Sequence, residues 1–128
     1  MTERRIAGEL FPPPAYSHVG VASGTLVATA GAVPLDPDGD LIGAGDAKTQ
    51  TRAVIDNLLV QLRVGGAEPE QIVKTTVYVV GNDPAPLAEV WEVVRDSPLA
   101  GAPSTLLGVA ALGYPGQLVE IEAIAVVG

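Results

Sequence analysis

The spacing of apolar residues predicts two helices. In the first, six residues recur three and four positions apart and form one stripe: Thr51, Val54, Ile55, Leu58, Leu59 and Leu62. Asp46 can cap this helix, which we expect to run to about Val64, where Gly65-Gly66 supplies a left-handed residue. A second, shorter helix is predicted over residues 84–95, whose apolar face carries Leu87, Val90, Trp91 and Val94.

Segments rich in β-branched residues predict six strands around these helices. The predicted strands cover residues 4–10, 19–22, 25–31, 72–80, 105–112 and 117–127. Ser23-Gly24 is typical of a tight turn, so we expect the second and third strands to form a hairpin. Residues 34–45 contain Asp38-Gly39 and predict a loop with a small hairpin at its tip.

This order of elements predicts one α+β domain over residues 1–128, with a mixed, mainly antiparallel sheet and both helices on one face. Alternate residues of a strand point to opposite sides of the sheet. The last strand has Val119 and Ile121 on one side and Leu118, Ile124 and Val126 on the other. Because both sides are substantially apolar, we expect a second subunit to cover the face that the helices leave open.

Composition and charge exclude or disfavour several classes of site and partner. The chain has no cysteine, so disulfides and thiolate metal sites are excluded. Its formal net charge is −8 and its seven basic residues are scattered, which disfavours nucleic-acid binding. No apolar stretch reaches the length of a membrane span, and no signal-peptide core follows the charged N-terminus. We therefore expect a cytoplasmic protein with neither membrane nor nucleic-acid partners.

Several segments, in order and at their spacing, resemble the reactive-intermediate deaminase (Rid, also called YjgF) family. They are Pro14-Ala15-Tyr16-Ser17-His18-Val19, residues 26–34, Gln50-Thr51-Arg52 with Asp56-Asn57-Leu58, Gly65-Gly66-Ala67, residues 72–78, and residues 119–125. The resemblance implies a chorismate-mutase-like fold and a homotrimer with a central barrel and three clefts between subunits. It also implies hydrolysis of amino-acid-derived enamines and imines to ammonia and 2-keto acids, with no metal or organic cofactor.

The sequence departs from the family where the chemistry is expected. Active relatives carry Pro-Ala-Arg-Ser before the penultimate strand, and alignment places Ser104 at the arginine that grips the substrate carboxylate. A serine hydroxyl carries no charge and cannot form two parallel bonds to a carboxylate. Ala30-Gly31-Ala32 replaces the family's Ser-Gly-Gln, and Ala88 stands where many members have asparagine. The predicted substrate-binding residues are Tyr16, Gly31, Ala32, Ala88 and Ser104.

Glu120 is the predicted catalytic residue, because the family's carboxylate there is thought to position or activate water. An equal alternative is a structural glutamate lining the barrel. Tyr16 could orient a ligand through its hydroxyl or simply pack at a sheet edge. Arg52 and Lys74 are candidates to replace the missing cation, although a surface role and a structural role, respectively, are the simpler interpretations. His18 is the only histidine, so no metal site is predicted.

Three functions stay open from the sequence. The chain could be a Rid-family small-molecule-binding hydrolase or deaminase of altered substrate range, an ordinary enamine and imine deaminase, or a non-catalytic metabolite sensor or scaffold.

Overall fold

The computed structural model describes residues 2–128, which form six strands and two helices. The strands are β1 (Thr2–Arg5), β2 (Val19–Ala22), β3 (Thr25–Ala28), β4 (Ile72–Val80), β5 (Ser104–Val109) and β6 (Val119–Val127). The helices are α1 (Ala47–Val64) and α2 (Pro84–Arg95), and a 3₁₀ turn over Pro69–Gln71 leads into β4. No helix within this part of the chain is long and apolar enough to cross a membrane.

The strands form two sheets. The larger has the order β3-β6-β4-β5, in which β6 is antiparallel to both neighbours and β4 is parallel to β5. The smaller joins β1 and β2 antiparallel. Helix α2 connects the parallel pair, as such a connection requires a crossover. The prediction of a mixed, mainly antiparallel arrangement is therefore confirmed, although the strands divide into two sheets.

Both helices pack on one face of the larger sheet, as predicted. The core between them is built from aliphatic side chains that alternate along β4 and β6, including Val77, Val79, Ile121 and Ala125. These residues meet Val54, Leu58 and Leu62 of α1 and Val90 and Val94 of α2. The other face of the sheet carries the intervening residues and has no helix over it. We call it the open face.

Helix α1 begins and ends as its sequence predicts. The Asp46 carboxylate accepts a hydrogen bond from the main-chain N–H of Thr49 at 3.1 Å, which satisfies one of the unpaired donors of the first turn. Gly66 has a φ of 82° and supplies the left-handed residue after the helix. In the 34–45 loop, Leu35 pairs with Leu41 and the Asp36 carboxylate caps the turn, so the small hairpin is also confirmed.

The predicted hairpin around Ser23-Gly24 is wrong. β2 pairs with β1, and β3 pairs with β6, so the chain passes from one sheet to the other at this turn. β6 is nine residues long and offers β3 an edge, while β1 occupies the edge of β2. A turn signal identifies where a chain changes direction but not which strand it meets next.

Several predicted strand ends also differ. β1 lies at residues 2–5 rather than 4–10, because the chain turns where Leu10 N–H donates to the Ala7 carbonyl. β3 ends at Ala28, and only Ala32 returns to the sheet, opposite Ile121. β5 covers residues 104–109 and β6 starts at Val119, so the turn between them is longer than predicted.

Candidate functional site

A small cleft lies on the side of the larger sheet that the helices cover, between β5 and α2. Its volume is about 170 Å³ and it is lined by Pro14, Tyr16, Trp91, Ser104 and Leu106. Ser104 and Leu106 are two residues apart on β5, so both point to the same side of the strand. Trp91 comes from the middle of α2, and Pro14 and Tyr16 come from the segment before β2.

Ser104 is held by its neighbour on β4. It pairs with Thr75 across the parallel strands, and the buried Thr75 hydroxyl donates a hydrogen bond of 2.8 Å to the Ser104 oxygen. A serine hydroxyl has one donor and two acceptor positions. Since Thr75 occupies one acceptor position, the Ser104 hydrogen and one lone pair are available to a ligand in the cleft.

Two aromatic rings form another wall. Tyr16 and Trp91 pack edge to face, with centroids 6.1 Å apart and an interplanar angle of 77°. The Trp91 indole N–H donates to the Pro14 carbonyl at 3.1 Å, so its polar atom is satisfied and its ring is fixed. His18 packs against the other side of Tyr16, and its Nδ1 accepts from the Ala7 N–H at 2.9 Å.

No charged residue lines this cleft. Lys74 lies on the open face, where its ammonium donates to the Thr105 hydroxyl at 2.6 Å. Arg52 lines a separate groove of about 470 Å³ between the two helices, together with Lys48 and Asp56. Neither residue lines the cleft within one subunit.

Arg4 is a third cation close to the loop that precedes β5. Its guanidinium donates to the carbonyls of Pro69, at 2.8 Å, and Ile72, at 3.2 Å, and thereby ties β1 to the start of β4. Burial lowers the pKa of Arg4, and the nearby Glu70 carboxylate opposes that shift. These carbonyls accept from its Nε and Nη2 groups, and Arg4 does not line the cleft.

Glu120 lies on the open face, because it pairs with Tyr78 rather than with a buried residue of β4. Its Oε1 accepts a 3.0 Å hydrogen bond from the Gln117 amide, and Gln117 is itself buried. Its Oε2 rests on the backbone of Gly31, where an added Cβ would lie only 2.0 Å away. A glycine at position 31 thus leaves room for the carboxylate.

The open face is acidic around Tyr78. Burial raises the pKa of the Tyr78 phenol, and the carboxylates of Glu122 and Glu120 raise it further. The register of β6 against β4 places both glutamates beside Tyr78, since Glu120 pairs with Tyr78 and Glu122 pairs with Thr76. A negative phenolate is unfavourable beside two carboxylates, so this tyrosine stays protonated as a neutral hydrogen-bonding group.

The structure separates the predicted site residues into two groups. Tyr16 and Ser104 meet in the cleft, whereas Glu120 and Gly31 meet on the opposite side of the sheet. Ala32 is buried against the core opposite Ile121, and Ala88 is exposed on α2 outside the cleft lining. The predicted clefts lie between subunits, where the two groups can come from different subunits, so the grouping of these residues into one site stays a prediction.

Sequence reasoning missed three lining residues: Pro14, Trp91 and Leu106. Trp91 is three residues after Ala88 and lies about one helical turn along α2 from it. Leu106 follows Ser104 by two, and this period-2 relation along a strand was the available signal.

These features define a class of protein: a small α+β domain that carries a ligand-sized cleft beside the edge strand of its sheet. The comparisons with known proteins identify which family it is. A family model described as endoribonuclease L-PSP matches residues 9–127. The chain belongs to this family, which is the Rid (YjgF) family, and the resemblance inferred from the sequence is confirmed.

Solved structures of the family share the fold. A Rid-family protein from Yersinia pestis, YyfB, is similar over 98% of both chains with a TM-score of 0.88 and 33% identity. Escherichia coli TdcF with bound serine is similar over 97% of this chain and 94% of its own, with a TM-score of 0.66 and 31% identity. The two-helix α+β fold expected from the resemblance is therefore confirmed.

Relatives with curated names are similar across much of the length. The 2-iminobutanoate/2-iminopropanoate deaminase of Salmonella typhimurium is 33% identical over 125 residues, covering 96% of this chain and 97% of the relative. A RutC family protein of Pyrococcus abyssi is 37% identical over 94 residues, covering 71% of this chain and 73% of the relative.

Proposed function

We propose that this chain is a small-molecule hydrolase of the Rid family that acts on an imine or enamine without a carboxylate group. The observation that carries the proposal is the lining of the cleft: three apolar side chains, one tyrosine and the Ser104 hydroxyl, with no cation among them. A carboxylate in this cleft would lose its hydration without gaining a counterion, which is costly.

The size of the effect follows from the two hydrogen bonds that the family arginine makes and Ser104 cannot. An arginine makes two charge-assisted hydrogen bonds to a carboxylate, each contributing about 1.5–3 kcal/mol. Replacing both by one bond from the uncharged Ser104 hydroxyl weakens the interaction with an amino-acid imine by on the order of 10- to 1,000-fold. An uncharged substrate is free of this penalty.

The hydrolysis requires water to attack the imine carbon and the nitrogen to leave as ammonia, with a carbonyl compound as the other product. Glu120 is the residue that we assign to activating the water, because a carboxylate can accept a proton from water as it attacks. Its orientation by Gln117 and its contact with Gly31 support this role.

The proposal includes a homotrimer with clefts between subunits. Ser104 and Glu120 lie on opposite sides of one sheet, so one subunit does not bring them together. A cleft formed by two subunits can combine Ser104 of one with Glu120 of the next. The open face also exposes apolar side chains that assembly would cover, including Leu26, which is 66% exposed, and Ile124, which is 39% exposed.

The second candidate is the deaminase reaction on 2-imino acids. It is favoured by the full-length similarity to the Salmonella typhimurium 2-iminobutanoate/2-iminopropanoate deaminase and by the TdcF structure, which holds serine, a ligand with a carboxylate. In that case a cation outside the described cleft lining must hold the acid. The ribonuclease activity in the family description is disfavoured, because a chain of net charge −8 repels RNA.

The test compares deamination of freshly generated 2-aminoacrylate by the wild type and Ser104→Arg. We expect a near-background wild-type rate and a rate at least about tenfold higher for Ser104→Arg. Ser23→Arg is the matched control, since it places the same cation at an exposed serine that does not line the cleft. Glu120→Gln in the Ser104→Arg background should abolish the gain.

Two results separate the candidates. A wild-type rate that matches an arginine-bearing relative would show that 2-imino acids are substrates and overturn the proposal. A silent Ser104→Arg variant that remains folded would favour a non-catalytic binding protein instead.

A further inference from the structure

We propose that the cleft binds a planar, uncharged compound with a ring of about six atoms and one carbonyl or imine acceptor. The acceptor bonds to the Ser104 hydroxyl, and the ring packs against Trp91, Tyr16 and Leu106. This inference rests on the proposed function and narrows its substrate class from compounds without a carboxylate to aromatic or similarly flat ones.

The walls favour a flat apolar group. Trp91 and Tyr16 supply ring surfaces, and the Trp91 N–H is already bonded to the Pro14 carbonyl, so the indole offers mainly its apolar surface to a ligand. Leu106 and Pro14 add aliphatic surface. The cleft volume of about 170 Å³ compares with the roughly 150 Å³ of an apolar cavity that holds one benzene molecule. One ring with a small polar group fills this space.

The polar end of the ligand is set by Ser104. Thr75 donates to its oxygen, which leaves the Ser104 hydrogen directed to another acceptor. A carbonyl oxygen or an imine nitrogen provides that acceptor without a charge. A cationic amidine carries only donors and leaves the Ser104 hydrogen without an acceptor, whereas an anionic carboxylate has acceptors but meets no cation in the lining.

Three nearly isosteric probes isolate the effect of charge: benzamide is neutral, benzoate is an anion and benzamidine is a cation. Trp91 is the only tryptophan of the chain, so its fluorescence reports occupancy of the cleft directly. Each probe is titrated into the full-length protein, and thermal shift gives an independent measurement, because a ligand of the native state raises the melting temperature. Propionamide keeps the amide and omits the ring.

We expect benzamide to bind at least tenfold more tightly than benzoate, benzamidine or propionamide. Ser104→Ala should weaken benzamide about two- to tenfold, as the loss of one neutral hydrogen bond implies. Leu106→Phe should weaken it further by filling the cleft. Ser23→Ala is the matched control, because it removes an exposed serine hydroxyl that does not line this cleft.

Each alternative outcome has a distinct meaning. Tightest binding of benzoate would overturn both this inference and the proposed function. Tightest binding of benzamidine, or equal binding of propionamide and benzamide, would overturn the ligand class here and leave the proposed lack of a carboxylate intact. An unchanged benzamide affinity in Ser104→Ala, or no binding of benzamide at millimolar concentration in either measurement, would also overturn it.

Discussion

Replacing Gln50 by methionine should destabilise the protein strongly, although the two side chains are similar in length. Gln50 is fully buried on α1. Its amide N–H donates to the carbonyls of Gly43, at 3.2 Å, and Gly116, at 3.0 Å, and its oxygen accepts from the Leu118 N–H at 2.8 Å. One side chain therefore joins the helix to the loop before it and to the start of β6.

The cost can be worked out group by group. The Gly43 carbonyl keeps a second donor, the Asp46 N–H at 2.9 Å, so it stays satisfied. The half-buried Leu118 N loses the partner that Gln50 provides, whereas the exposed Gly116 loses one ordinary hydrogen bond, of about 0.5–1.5 kcal/mol, and its carbonyl can bond water. An unsatisfied buried polar group costs about 1–3 kcal/mol, and the additional apolar burial of methionine offsets part of the sum. We expect the free energy of unfolding to fall by about 2–4 kcal/mol, a large share of the roughly 5–15 kcal/mol typical of a domain.

This difference is measured by urea titration of the wild type and Gln50→Met at the same protein concentration, with unfolding followed by far-ultraviolet circular dichroism. With a typical m-value, the midpoint should fall by about 1–2 M. Gln61→Met is the matched control on the same helix, since Gln61 makes one 3.2 Å bond, to the Ala30 carbonyl, and is partly exposed. Gln61→Met should lower the free energy of unfolding by less than about 1 kcal/mol. A difference of about 0.3 M between two urea midpoints corresponds to about 0.5 kcal/mol. If the Gln50→Met midpoint lies within that distance of the Gln61→Met midpoint, the buried amide does not stabilise the protein as reasoned.

Three further changes test other parts of the structure. Gly66→Ala should lower the free energy of unfolding by about 1–2 kcal/mol in urea titration, because a Cβ is strained at a φ of 82°; an unchanged midpoint would contradict this. Hydrogen bonds from Thr49 lower the pKa of Asp46, so the stabilisation by its carboxylate is present above the unfolded pKa of 3.8 and is lost as the pH falls. Asp46→Asn should therefore flatten the acid side of a plot of unfolding free energy against pH. A plot that matches the wild type would exclude the effect. Burial raises the pKa of Tyr78, so the free energy of unfolding should decline as the pH rises above 10.0, the ordinary pKa of a tyrosine. Tyr78→Phe should lose less stability over the same pH range. Parallel curves for the two proteins would refute the raised pKa.

Local sequence signals predicted the helices well because the determinants of a helix lie within it. The apolar stripe of α1, its Asp46 cap and the glycine pair after it are all contained in about twenty residues, and the structure agrees with each. Strand pairing depends on distant residues instead. The sequence around Ser23-Gly24 contains no information that β6, a hundred residues later, is the partner of β3.

The candidate site was predictable only in part for the same reason. Alignment to the family identified Ser104 and Tyr16, which meet in the cleft. The alternation along β6 placed Glu120 on the side opposite Val119 and Ile121, which is the open face. Trp91 appeared in the sequence only as a member of the apolar stripe of α2, and its role as a wall of the cleft depends on where Pro14 docks.

Three amide side chains of α1 hold the irregular segment between β3 and the helix by its main chain. Gln50, Asn57 and Gln61 donate to backbone carbonyls between Ala30 and Gly43, and none of these bonds involves a side chain of that segment. Side chains that face solvent there, such as Pro37 and Asp38, can consequently change while the path of the chain is preserved. Substitutions can then accumulate at these exposed positions without a matching change in the helix that anchors the segment.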